Sequence, residues 1–280
     1  MSEESKVDRL PLLAMDQFSA ISKLLTNKRI WYFASPGNAG DTLIHAGAAC
    51  LFKKINTTIV GMEIRPDYLV WGGGGNLGTL WKGNKWRRKQ LFDKAITLNV
   101  PIVILPQSAT DINEELPRYI RIFAREKYTQ NIYPESILAP DTALAFDGDI
   151  SIYKECRQEF DVGVFLRRDR ESNGGIDKRL SICDPAFVSK NYTDYMRICS
   201  LFQTIITDRL HLAITSLILN RNTVLLPNCY YKNLGVYEAW LKGLNCLWGV
   251  EELTRIIGAV DYQPKQIGGH FETVYKRKVK

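Results

Sequence analysis

Short strand-length runs without polar alternation recur along this chain, and helical stretches separate them. Ile30-Trp31-Tyr32-Phe33-Ala34, Tyr68-Leu69-Val70-Trp71 and Ile102-Val103-Ile104-Leu105 are the first three. Val162-Gly163-Val164-Phe165-Leu166, Thr204-Ile205-Ile206-Thr207 and Val224-Leu225-Leu226 follow. A half-exposed strand alternates apolar and polar residues, so uninterrupted runs predict strands covered on both faces. Helices between such strands make the sheets parallel, and the fold class is α/β. An amphipathic stretch over residues 7–27 precedes the first run.

The rhythm breaks at Asp147-Gly148-Asp149-Ile150-Ser151 and then restarts. The prediction is two Rossmann-like lobes, 1–150 and 151–280, each with a parallel sheet. A chain of 280 residues, 45% of them hydrophobic, suffices for cores in both. Open parallel sheets bind ligands beyond the carboxyl ends of their strands, so the turns at those ends are where chemistry is expected.

Those turns carry the unusual residues. Ser35-Pro36-Gly37-Asn38-Ala39-Gly40-Asp41 follows the first strand and opens a helix, where backbone N–H groups and the helix dipole suit an anion. It is neither a Walker loop nor a dinucleotide fingerprint. Asp41 stands where a helix cap would stand, and His45 lies one turn further along the same face. Gly72-Gly73-Gly74-Gly75-Asn76 follows the second strand; four glycines are entropically costly and predict close passage of a ligand or of another backbone. Gln107 and Ser108 follow the third strand.

In the second half, Asp208-Arg209-Leu210-His211 ends one strand, with Asp208 expected as the cap and Arg209 and His211 in the first helical turn. A helix N-terminus disfavours an imidazolium, whereas an anion beside Arg209 would favour it. Arg167-Arg168-Asp169-Arg170 and Asn228-Cys229-Tyr230-Tyr231-Lys232-Asn233 end two other strands. Guanidinium forks suit carboxylates and phosphates, and Lys232 offers a point charge or an ordinary surface lysine.

Other functions find less support. Six cysteines lie far apart and only three histidines are present, so no metal site is expected. No apolar run reaches the roughly 18 residues that span a bilayer, and the first residues do not read as a secretory signal. A cytoplasmic protein with reduced thiols is the expectation. The net charge of +7 points to anionic partners. Around Trp81 and Trp86, Lys82, Lys85, Arg87, Arg88 and Lys89 form either a single-strand binding surface or a solvated helix face with inward tryptophans.

The ordered set Gly37-Asn38-Ala39-Gly40-Asp41, Gly72-Gly73-Gly74-Gly75-Asn76, Ala139-Pro140-Asp141, Arg167, Asp208-Arg209-Leu210-His211 and Tyr230-Tyr231-Lys232-Asn233 resembles the polysaccharide pyruvyl transferase family. The resemblance covers residues 30–240 and implies a fold like that of the GT-B glycosyltransferases. It also implies transfer of pyruvate from phosphoenolpyruvate to a sugar of a polysaccharide repeat unit, giving a cyclic ketal and free phosphate. On that resemblance His211 is the catalytic acid or base; since the enol methylene must be protonated, the expectation is His211 as acid, with Asp41 or Asp208 as base. Arg209, Arg167, Lys232, Asn233, Gly73, Gly74 and Asn76 would bind the donor in the cleft. Asn38, Gly40, His45, Gln107 and Ser108 would face the acceptor from the first lobe. Leu212 stands where relatives often carry a small residue.

No cofactor is implied beyond phosphoenolpyruvate as co-substrate. The expected acceptor is a sugar on undecaprenyl diphosphate, reached at the inner face of the cytoplasmic membrane. There the basic residues would meet anionic lipid; no nucleic acid is expected, and the oligomeric state stays open. Two other readings fit the same residues: a GT-B-like glycosyltransferase using a nucleotide sugar, and a non-catalytic nucleic-acid or anion-binding module.

Overall fold

The computed structural model describes residues 11–78, 80, 83–111 and 119–279. Eleven strands are present among them: β1 (Arg29–Phe33), β2 (Thr58–Ile59), β3 (Tyr68–Trp71), β4 (Gly74–Leu77), β5 (Ile102–Ala109), β6 (Ile120–Ala124), β7 (Ile137–Leu138), β8 (Phe160–Phe165), β9 (Phe202–Thr207), β10 (Asn222–Leu225) and β11 (Cys246–Trp248). The helices are α1 (Ser19–Leu25), α2 (Ala39–Lys54), α3 (Gly83–Leu98), α4 (Lys127–Ile132), α5 (Ser151–Lys154), α6 (Pro185–Val188), α7 (Tyr192–Ser200), α8 (Leu210–Ile218), α9 (Lys232–Val236), α10 (Val250–Ala259) and α11 (Pro264–Val279).

Every strand pairing is parallel. The first sheet runs β2-β1-β3-β5-β6-β7, with β4 also on β5; the second runs β11-β10-β9-β8. These are the two Rossmann-like sheets of the expected GT-B-like fold. The first sheet ends at Leu138 and the second begins at Phe160.

The sandwiched layers follow from period-two burial. On β5, Val103 and Leu105 join an inner apolar cluster with α2, α7 and α8, whereas Ile102 and Ile104 join an outer one with Leu91 and Ala95 of α3. On the far side of the second sheet, Val162, Val164 and Val224 pack with Leu253 of α10. The inner cluster is continuous from Val70 and Val103 to Phe165, Phe202 and Ile205, so one core joins both sheets. Close packing in that layer requires Gly47 of α2, where a Cβ would stand 2.0 Å from the Thr142 carbonyl oxygen.

Three readings need correction. The third strand runs on through Ala109, because its two sides remain covered, so Gln107 and Ser108 are inside β5 rather than beyond it. Asn38, not Asp41, caps α2: its side chain accepts from the Gly40 N–H at 2.8 Å, and Asp41 answers by accepting from the Asn38 N–H at 2.8 Å. Arg209, not Asp208, occupies the cap position of α8, with no side chain bonded to the first-turn N–H groups.

Candidate active site

The strands' carboxyl ends converge on a cavity of about 720 Å³. The loop after β1 contributes Gly37, Asn38 and Asp41; β4 contributes Gly75 and Asn76; the end of β6 contributes Arg125. The second sheet contributes Arg167, Asp169 and Glu171 after β8, Arg209 and His211 after β9, and Lys232 beyond β10. Phe187 of α6, 72% exposed, also lines it.

The cations are set in a buried network. Arg167 donates to Asp169 at 2.8 Å and to Glu171 at 2.6 Å. Arg209 forks onto Asp184 at 2.9 and 2.6 Å and lies 2.9 Å from Asp169. Lys232 bonds Glu171 in turn. Taking charges out of water is costly, and the carboxylates offset that cost while fixing each donor's direction. Burial pushes the Lys232 ammonium down to about 8; Glu171 works against the fall, and Arg167 and Arg125 add to it.

His211 belongs to a second set. Its Nε2 lies 3.3 Å from Asp141 Oδ2, and Arg125 Nη1 donates to the same oxygen at 2.7 Å. Asp141 Oδ1 accepts from the Ala143 N–H at 2.9 Å. Burial alone would raise the Asp141 carboxyl; the His211 hydrogen bond and charge, then Arg125, hold it well below the usual carboxylate range. An ionised Asp141 keeps the proton of a neutral ring on Nε2, leaving Nδ1 as the acceptor, and it stabilises the imidazolium when Nδ1 is also protonated. The first turn of α2 passes close: a Cβ on Gly40 would stand 2.8 Å from His211 Cβ.

Other expected site residues support the cavity from behind. Asp208 is fully buried, accepts from the Arg167 N–H at 2.7 Å and lies 3.4 Å from Lys178 Nζ. Burial raises its carboxyl, and it is not among the lining residues, so of the two expected bases only Asp41 reaches the cavity. Asn233 is buried and donates to the carbonyls of Asp208 and Leu226 at 2.8 and 2.9 Å, tying two strand ends together. His45 is held by the Tyr32 hydroxyl at 2.7 Å and the Ser35 carbonyl at 2.9 Å, away from the cavity. Gln107 donates to the Gly72 carbonyl at 2.7 Å and accepts from the Asn76 N–H at 3.1 Å, which braces the glycine run. Ser108 accepts from Arg125 Nε at 2.7 Å. Gly73 and Gly74 likewise lie behind Gly75 and Asn76 and are not among the lining residues, and neither is Gly40, which backs His211.

Reading the residues gave no role to Arg125, Asp141, Asp169, Glu171 or Asp184. Asp141 had a signal in Ala139-Pro140-Asp141, and the alternation of Arg167, Asp169 and Glu171 is a weaker one. Arg125 and Asp184 stand alone in the sequence and acquire meaning only through burial.

Comparison with known proteins finds relatives of this chain. The family model described as polysaccharide pyruvyl transferase matches residues 22–230. A protein of Bacillus subtilis (strain 168) named "Putative pyruvyl transferase EpsO" is 24% identical, over 74% of this chain and 83% of its own length. The crystal structure of an uncharacterized protein from Klebsiella pneumoniae subsp. pneumoniae NTUH-K2044 superposes with a TM-score of 0.62 at 23% identity. That match covers 84% of this chain and 98% of the other and speaks to the fold alone.

Proposed function

The chain belongs to the polysaccharide pyruvyl transferase family, and from that premise we propose that it transfers pyruvate from phosphoenolpyruvate to two hydroxyls of a sugar in a polysaccharide repeat unit, carried on a lipid diphosphate. The observation that carries the reading is the pairing of a dense cation set, Arg167, Arg209 and Lys232, with the His211–Asp141 dyad in one cavity. Phosphoenolpyruvate is a small ligand with a carboxylate and a phosphate, and it needs several directed cationic donors. Its reaction needs an acid at the methylene carbon and a base at the attacking hydroxyl.

The steps balance as follows. His211, protonated at Nδ1 and Nε2, gives the Nδ1 proton to the methylene carbon, which makes the central carbon electrophilic. A sugar hydroxyl attacks that carbon and Asp41 accepts its proton. Arg167, Arg209 and Lys232 stabilise the phosphate as the C–O bond to it breaks, and the leaving phosphate takes the proton from Asp41. The second hydroxyl then closes the ring and its proton restores the acid. One phosphate leaves for each ketal formed.

Two consequences arise from the geometry. Lys232, whose proton is lost near pH 8 in the folded chain, makes phosphoenolpyruvate binding weaken as pH rises through about 8. An unfolded lysine keeps its proton to about 10.4, so between those values the unfolded chain binds more protons. The stability of the unliganded chain therefore rises with pH across that window while donor affinity falls. Titration calorimetry at several pH values measures the second trend, and Lys232→Met should flatten it. An unchanged slope in that variant removes Lys232 from the donor site.

Gly40→Ala should press on His211 Cβ, which cannot move aside without its helix. Turnover should fall by about tenfold or more, since ångström-scale misplacement of a reacting group costs up to about 10²-fold. Phosphoenolpyruvate binding should hardly change. Steady-state kinetics with a calorimetric check on donor binding separates the two effects.

A further inference from the structure

A second concavity, of about 650 Å³, lies on the other side of the loop that follows β1, and Pro36 lines both it and the catalytic cavity. Its walls are the aromatic residues Trp31, Trp71 and Trp86, and its rim carries Arg87, Gln90 and Lys94. Trp86 is 63% exposed although it sits on α3, the helix whose Arg88 turns inward and donates to the Asn76 carbonyl. A singly exposed apolar side chain needs no explanation, but Trp86 stands at a concavity that two further tryptophans line. Trp81 and Lys82, which belong to the same basic stretch, lie outside the described residues. Lys94 Nζ stands over the Trp31 ring, 5.5 Å from its centroid. Trp71 is 4% exposed.

We infer that this groove binds the glycan of the acceptor, holding sugar residues next to the one that receives pyruvate. The chemistry matches a carbohydrate: ring C–H faces pack on aromatic faces such as that of Trp86, while hydroxyls reach the Gln90 amide and the Arg87 and Lys94 cations. An acyl chain has no use for the polar rim of Arg87, Gln90 and Lys94. Continuity with the cavity at Pro36 lets one glycan occupy both. The inference rests on the pyruvyl-transfer reading for what the glycan is doing there.

The test uses surface polysaccharide of the source cell, freed of ketals with mild acid and cut to fragments of a few repeat units. These are titrated calorimetrically into the intact chain, Trp86→Ala and Trp86→Phe, with phosphoenolpyruvate-induced thermal stabilisation measured in parallel. Trp86 is exposed, so both variants should fold. Fragment affinity should fall about tenfold in Trp86→Ala, the loss expected for one stacking contact, and be kept in Trp86→Phe, with donor stabilisation equal in all three. Equal fragment affinity in all three proteins, or no fragment binding by a chain that phosphoenolpyruvate stabilises, overturns the inference. So does loss of binding to phosphatidylglycerol vesicles in Trp86→Ala with fragment affinity intact, which would make the occupant a membrane. Fragment binding through Trp86 in a chain that phosphoenolpyruvate does not stabilise upholds the groove and removes the donor reading instead.

Discussion

His211→Asn should lower turnover by 10²-fold to about 10⁴-fold, the usual range for loss of a general acid–base group, while phosphoenolpyruvate still binds. The donor cations do not depend on the histidine: Arg167, Arg209 and Lys232 are positioned by Asp169, Asp184 and Glu171. The asparagine keeps a polar group beside Asp141 but cannot deliver a proton to carbon. Stopped-time assays of phosphate release, with calorimetry for the donor, would separate the two functions. Near-normal turnover would take His211 out of the mechanism, and lost donor binding would make it an anion ligand.

The largest effect on stability is expected from Asp141→Ala. Asp141 and its partner Arg125 are 0% and 1% exposed. Removing the acid strands a guanidinium in the interior, where among the described side chains Ser108 alone still accepts from it. Breaking a buried pair in this way costs about 3–5 kcal/mol, or roughly 10 °C in midpoint for a chain of this size. Pairing it with Arg125→Met should recover much of the midpoint, since an apolar pair of similar volume has no charge to desolvate, but should not recover turnover. The sign with pH is set by the depressed folded value of Asp141. Its stabilisation is complete above the unfolded carboxylate value of about 3.9 and is lost as pH falls through the lower folded value. A double variant as unstable as the single one would show that the pair is not the source of the loss.

The strands were legible because burial on both faces leaves an uninterrupted apolar signature; Tyr68–Trp71 is the same four residues in both readings. The glycine run was harder. Gly74–Leu77 forms a strand on β5, although glycine weakens strands and offers no side-chain pattern. Pro106 and Ser108 read as a turn after the apolar run that ends at Leu105, yet β5 continues, and Gln107 and Ser108 serve the neighbouring backbone and Arg125 from within the sheet.

Within the site, residues next to strand ends were readable, and so His211, Arg209, Arg167, Lys232 and Asp41 all line the cavity. What local sequence cannot encode is which polar groups turn away. His45 shares a helix with Asp41 yet bonds Tyr32 and Ser35, and Asp208 adjoins Arg209 yet faces the β8 backbone. The anions that organise the cations, Asp141, Asp169 with Glu171, and Asp184, come from three separate segments, so only their meeting in the fold identifies them. On α3 the reading of a solvated helix face with inward tryptophans fails for Trp86, which is outward, while Arg88 is inward and meets a carbonyl on the glycine strand.

The most direct measurement is the mass of ketal-free surface polysaccharide fragments after incubation with the protein and phosphoenolpyruvate, together with the phosphate released. The expected result is a gain of one pyruvate less one water per modified sugar, with one phosphate released for each. A gain of a glycosyl unit from a nucleotide sugar, with no gain from phosphoenolpyruvate, would contradict the pyruvyl-donor account and make the cation set a nucleotide-diphosphate site.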